Sequence, residues 1–228
     1  FFTGILPIIL FAIETFLPNP GDYSFIRNGV AGNLTTKWWV TSENITENGM
    51  YGQKGILFNE AIWGAFKGAL IVAVCCALLA GGFGLLVGCY GGKHMAFLPY
   101  LMPSLAGGVA FFVFGSSMGI FNTYLLLVLA GTVKYIPFAS RSALSSMMQL
   151  SGEIEEAAII QDIPWHKRML NIIIPIQKTS IMSGYLLPFI TCVRELTLFM
   201  LLCSQTKIIT TMLDYFDEMG LYAFSSGI

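Results

Sequence analysis

Charge is what this sequence has least of. Asp, Glu, Lys and Arg make up 11% of its 228 residues, under half the roughly 25% that a water-soluble domain carries. With 12 basic and 13 acidic residues the net charge is −1, so the basic footprint of a nucleic-acid binder is missing and no nucleic-acid partner is expected. Histidine is scarcer still. His94 and His166 stand far apart, which argues against an enzyme site built on His converging with carboxylates or a nucleophile. Among Cys75, Cys76, Cys89, Cys192 and Cys203 no pair has CxxC spacing, so the cysteines read as small hydrophobes and no metal site is expected. No GxxxxGK[ST] loop occurs either. The glycines of Gly81-Gly82-Phe83-Gly84-Leu85-Leu86-Val87-Gly88 therefore read as packing glycines, with Gly84 and Gly88 at the GxxxG spacing that lets helices approach closely in lipid. A basic leader with a small-residue cleavage site is absent. The chain opens and closes within apolar runs, so the expectation is a piece of a longer polypeptide, such as one half of a fused protein.

What is present is hydrophobic: 55% of the residues, with 24 glycines, a residue commoner in transmembrane than in soluble helices. The chain reads as an all-α integral membrane protein with about five to six spans, a hydrocarbon core needing roughly 20 apolar helical residues each. Phe1 to Leu17 gives the first span. Pro18 to Glu60 is polar and too long for a tight turn, an external loop whose Trp38-Trp39 suits the headgroup level. Its Asn33 and Asn44 sequons carry no weight outside a secretory setting. Gly68 to Gly92 has no charge and gives the second span. Met95 to Val133 is again uncharged but, at 1.5 Å per residue, would make a helix about 58 Å long. It must fold back, and Gly115-Ser116-Ser117-Met118-Gly119 is the place, giving spans over 96–115 and 119–138. A fifth span runs from Ile172 to Cys203. The stretch 205–220 is amphipathic, and a sixth span would begin after it. Lys and Arg divide almost evenly between alternate loops, so charge alone does not orient the chain.

Between spans four and five lies the polar segment 140–171. Ser151 can cap a helix start, and Glu153, Glu155 and Glu156 complement its dipole. Ala157 and Ala158 leave one face shallow enough for another protein to approach. Asp162 and Pro164 end this helix, and a second, Trp165 to Leu170, leads toward Pro175. This is a helix–turn–helix knob suited to docking.

The segment Glu156-Ala157-Ala158, then Asp162, then Ile172-Ile173-Ile174-Pro175 resembles the Glu-Ala-Ala…Gly…Ile-x-Leu-Pro signature of permeases of binding-protein-dependent ABC importers. Asp162 stands where the family has glycine, and aspartate enters the left-handed conformation more readily than most residues. Tyr135-Ile136-Pro137-Phe138-Ala139-Ser140-Arg141-Ser142-Ala143-Leu144 is similar to the family too, and the likeness runs from about residue 60 onward. It implies a single permease domain in the bacterial cytoplasmic membrane, with 140–171 as a cytoplasmic coupling segment and 18–60 outside. Glu156, Ala157, Ala158, Asp162, Ile172 and Pro175 would then couple to two cytoplasmic ATPase subunits. Those subunits would hold ATP and Mg, with no cofactor in this chain. Further implied partners are a second permease half, identical or fused, an extracytoplasmic substrate-binding protein, and lipid.

Arg194-Glu195 interrupts the fifth span. Charges inside a membrane face a cavity or a partner by default. As helix neighbours they would point about 100° apart, serving either as a gate on the translocation path or as anchors to other helices. With the Leu196–Leu202 run that follows and the loop Gly55–Trp63, they resemble the ferric-iron branch of the family. Permeases for thiosulfate, polyamines or phosphonates remain alternatives for the cargo. A secondary transporter would need several intramembrane ionisable residues or inverted repeats of broken helices, and one charged pair without a repeat does not supply them.

Overall fold

The computed structural model describes residues 2–19, 34–45, 54–90, 103–149, 152–204 and 207–228. His94, Asn33, Ser151, the opening of the third expected span and parts of the 18–60 loop lie outside these residues. The chain divides into two units: residues 1–69 with 204–228, and residues 70–203.

The first, terminal unit holds helix α1 (Phe2–Glu14), the short α2 (Lys37–Val40) and the opening turns of α3 (Glu60–Tyr90). It also holds α10 (Ile209–Glu218) and α11 (Tyr222–Ser225). Their apolar faces enclose Trp38, Ile56, Ile62, Met212, Phe216 and Phe224. Trp38 is therefore a core residue and not a headgroup anchor. Its ring is 4% exposed, and its indole N–H donates to Leu17 O at 2.8 Å, the partner a buried tryptophan requires. Thr15 Oγ1 accepts from the Trp39 indole at 3.0 Å and donates to Ala223 O at 3.1 Å. Helix α3 begins at Glu60, earlier than the apolar run at Gly68 suggested. Asn59 Oδ1 caps the Ala61 N–H at 3.0 Å, and Glu60 sits in the first turn, where the helix dipole favours an acid.

The second, central unit holds the rest of α3, α4 (Ser104–Ser117), α5 (Tyr124–Gln149) and α6 (Gly152–Ile160). After them come α7 (Trp165–Arg168), a π-turn at Met169–Ile173, a helical turn at Ile174–Ile176, α8 (Lys178–Val193) and α9 (Thr197–Leu202). α5 packs on α8, and α4 on α9. α3 and α5 meet at backbone distance: a Cβ on Gly84 would strike Ala139, and one on Gly88 would lie 2.7 Å from the Ala143 Cβ. Ala139 and Ala143 repeat the four-residue spacing of Gly84 and Gly88, so small residues face small residues, the arrangement that brings helices together where no hydrophobic drive acts. Among the described residues Cys75, Cys76, Cys192 and Cys203 are thiols, the last three of them buried.

The span pattern differs from expectation. Among the described residues one helix, over Glu60–Gly88, is long and apolar enough to cross a membrane, and Gly4–Glu14 and Ser104–Ser117 are shorter apolar helices. α4 and α5 are separated at Gly119 as expected. α5, however, runs straight past 138 to Gln149, through Pro137, because its serine-rich second half is polar yet still helical. The stretch 172–203 is divided by a turn at Gln177 and by a break at 194–196.

Candidate functional site

Two places in the central unit bring the sequence-selected residues into a defined geometry. The first is α6 and the turn behind it. Two consecutive alanines favour the helix, with Glu156 and Ala157 exposed and Ala158 buried at 5%. Ile159 and Ile160 are also exposed, Ile160 at 83%. α6 thus shows apolar side chains within an otherwise polar stretch.

The helix closes on Asp162, whose φ is +52°. Ile163 N–H donates to Ala158 O at 3.1 Å and Asp162 N–H donates to Ile159 O at 2.9 Å, the paired bonds of a Schellman cap. Gly119 (φ +69°) and Gly220 (φ +74°) close α4 and α10 with the same two bonds. Asp162 therefore occupies the position that two other helices of this chain give to glycine. Pro164 then starts α7, accepting from Lys167 N–H at 2.9 Å. Ile172 lies in the π-turn and Pro175 in the helical turn after it. Lacking an N–H, Pro175 gives no bond to the preceding turn, consistent with the widened backbone just before it.

The second place surrounds Glu195. α8 stops at Val193 and α9 starts at Thr197, so Arg194 and Glu195 are not neighbours on a helix as the sequence suggested. The break separates them: Arg194 is exposed, while Glu195 turns inward. Glu195 Oε2 accepts from Lys134 Nζ and from the Tyr135 hydroxyl, each at 2.6 Å. Its Oε1 accepts the Leu198 N–H at 3.0 Å, which caps α9. Lys134 Nζ also donates to Ser104 Oγ at 2.8 Å, and the two charged side chains are 23% and 12% exposed. The carboxylate thereby ties the break to α5 and to the start of α9, and Lys134 extends the cluster to α4. Lys134 escaped the sequence reading although it carried a signal: a lone lysine inside an apolar run needs a partner. Among the described residues, no group of three His, Cys, Asp or Glu is placed to hold a metal ion.

No family model matches the chain. It is 22% identical over 205 residues to the ferric transport system permease protein FbpB 1 of Haemophilus influenzae, covering 83% of this chain and 31% of that protein. Against the ferric transport system permease protein FbpB of Actinobacillus pleuropneumoniae it is 22% identical over 204 residues, covering 84% and 30%. The chain thus spans about a third of the length of these relatives. Among solved structures, a bacterial ABC transporter involved in the import of the acidic polysaccharide alginate superposes with a TM-score of 0.59 at 14% identity, over 99% of this chain and 84% of the matched one. The chain shares the fold of that ABC transporter chain. In sequence the chain is similar to the two ferric transport permease proteins. The signature residues lie together on α6, its cap and the following turns, whereas Glu195 belongs to a separate cluster on α4, α5 and α9.

Proposed function

We propose that the chain is the translocating part of an ATP-driven importer in the bacterial cytoplasmic membrane. It moves a substrate delivered by an extracytoplasmic binding protein and leaves ATP and Mg to two separate ATPase subunits. The observation that carries this reading is α6, a short, capped helix showing Glu156, Ala157 and Ile160 to solvent. Its exposed apolar residues gain by burial against a partner, and its cap fixes the angle at which α7 leaves it. A rigid projection of this kind transmits force where a loop would not. In this reading segment 140–171 lies on the cytoplasmic side and 18–60 outside, with a second permease half, identical or fused, completing the path through the lipid.

Ferric iron is the proposed cargo, on the likeness to two ferric transport permeases. Glu195 already accepts three donors, so its proposed role is to anchor the helix break beside the path, leaving recognition of the cation to the binding protein. Arg194, exposed at the same break, is the candidate gate residue. A different small solute is the second reading, because the same fold occurs in a transporter that imports a polysaccharide.

The test is ATP hydrolysis by the purified complex, with and without iron-loaded binding protein. Stimulation by the iron-loaded form that disappears in Ala157→Arg supports both coupling and cargo. Stimulation only by another loaded binding protein discards iron and keeps the importer. A polypeptide that co-purifies with no ATPase refutes the reading.

A further inference from the structure

The four helices around the Glu195 cluster form two packed pairs, α8 along α5 and α9 along α4. Each pair is closely fitted. A Cβ on Gly108 of α4 would stand 3.6 Å from the Leu201 Cβ of α9, and one on Gly184 of α8 would stand 3.3 Å from the Ser142 Cβ of α5. Contact between the pairs is slighter. Where it is apolar, a large side chain rests on a glycine, Phe199 over Gly131 and Leu126 over Gly115. A helix surface without a Cβ has no ridge to interlock with its neighbour, so such contacts hinder sliding little. The chain passes from one pair to the other twice. One passage is the turn 118–123, which holds the left-handed Gly119 and Asn122. The other is the break 194–196, where Arg194 and Leu196 keep right-handed helical dihedrals.

A polar cluster bridges the pairs at one point. Lys134 of α5 donates to Ser104 of α4 and to Glu195 in the break, and Glu195 accepts the Leu198 N–H of α9. We infer that the α4–α9 pair turns as one body against the α5–α8 pair, hinged at the two passages, and that Lys134, Glu195 and Ser104 latch it in the position seen here. A few residues at element ends that absorb the rotation, between bodies that stay packed, are the parts of a hinge. The latch favours the resting position because opening it parts two charges that are mostly shielded from water. In sequence α6 and α7 lie between α5 and α8, so a pull on the coupling turn enters the α5–α8 pair first and reaches α4 and α9 through the latch. The inference deepens the importer reading and rests on it for the source of that pull.

The experiment is pulsed electron–electron resonance on the full-length permease, purified with its ATPase subunits and reconstituted in nanodiscs, in a background whose native cysteines are replaced. Spin labels at Val113→Cys of α4 and Met182→Cys of α8, both exposed, report across the hinge. Labels at Val109→Cys and Met200→Cys, exposed on α4 and α9, report within one pair. Trapping with ATP and vanadate should shift the first distance and leave the second in place. Without nucleotide, Lys134→Gln should populate the shifted distance about ten-fold more than the parent, while Lys134→Arg, which keeps the charge, should not. Ser104→Ala frees α4 from the latch without stranding a charge. It should raise the shifted population about five-fold, and it serves as the test if Lys134→Gln does not fold. A cross-hinge distance equal in both nucleotide states overturns the proposal, as does a within-pair distance that moves as much. Resting populations untouched by the latch variants overturn it too, and that comparison needs no nucleotide. Failure of the importer reading shows separately, as a polypeptide that co-purifies with no ATPase.

Discussion

Replacing Asp162 with glycine tests the cap at the coupling turn. The residue sits at φ +52°, where an L side chain costs about 1–2 kcal/mol, with aspartate at the lower end. Its carboxylate also faces the negative end of α6, an opposition of about 0.3–1 kcal/mol. Glycine removes both terms but gives back about 0.5–1 kcal/mol of chain entropy. The net is a stabilisation of about 0.5–1 kcal/mol, or roughly a two- to fivefold drop in local opening. Amide exchange in the segment 152–165, followed in detergent by mass spectrometry, reads that opening directly. Exchange should slow most in Asp162→Gly, slow less in Asp162→Asn, which removes the charge and keeps the strain, and quicken in Asp162→Ala, which loses the tolerance for positive φ. If alanine protects the segment as well as glycine does, the left-handed cap is not what holds the turn.

The Glu195 cluster predicts strong coupling between its members. Lys134→Met or Glu195→Gln alone should cost about 2–3 kcal/mol, somewhat below the loss for a fully buried pair, while the double variant should recover about half. Equilibrium unfolding in mixed micelles measures the cycle, and additive losses would dissolve the pair as a unit. Two glycines of α3 predict opposite signs. Gly82→Ala should stabilise by about 0.5–1 kcal/mol, and Gly84→Ala should destabilise by about 1–3 kcal/mol because Ala139 stands in the way. Paired thermal-unfolding scans settle the contrast.

The elements that the sequence made legible are those governed by local rules. The turn at Gly119 follows from an uncharged run too long for one crossing. The left-handed Asp162 follows from its place in the Glu156–Pro175 pattern, and the close approach at Gly84 and Gly88 from their spacing. What was missed depends on partners distant in sequence. Trp38 looked interfacial because nothing nearby shows that Leu17 O, 21 residues back, would take its N–H. The break at Arg194–Leu196 is invisible in an apolar run, since its carboxylate is satisfied by Lys134 and Tyr135, about sixty residues upstream. Hydropathy suggested a span ending at 138 and could not report that the helix continues through Pro137 to Gln149.

The bond from Thr15 to Ala223 O joins residues 208 positions apart, and it sets an order of events during synthesis. A ribosome delivers residues one after another, and contacts between distant segments wait for the later one to emerge. The central unit is drawn from the unbroken stretch 70–203, so its own contacts can form before α10 and α11 appear. The terminal unit is assembled from both sides of that stretch. Its opening helix must idle, with Thr15 and Trp39 short of their final surroundings, until Ala223 and Phe224 have been translated. For that interval α1 lacks its final partners, and a pause in translation between residues 69 and 204 would prolong its exposure.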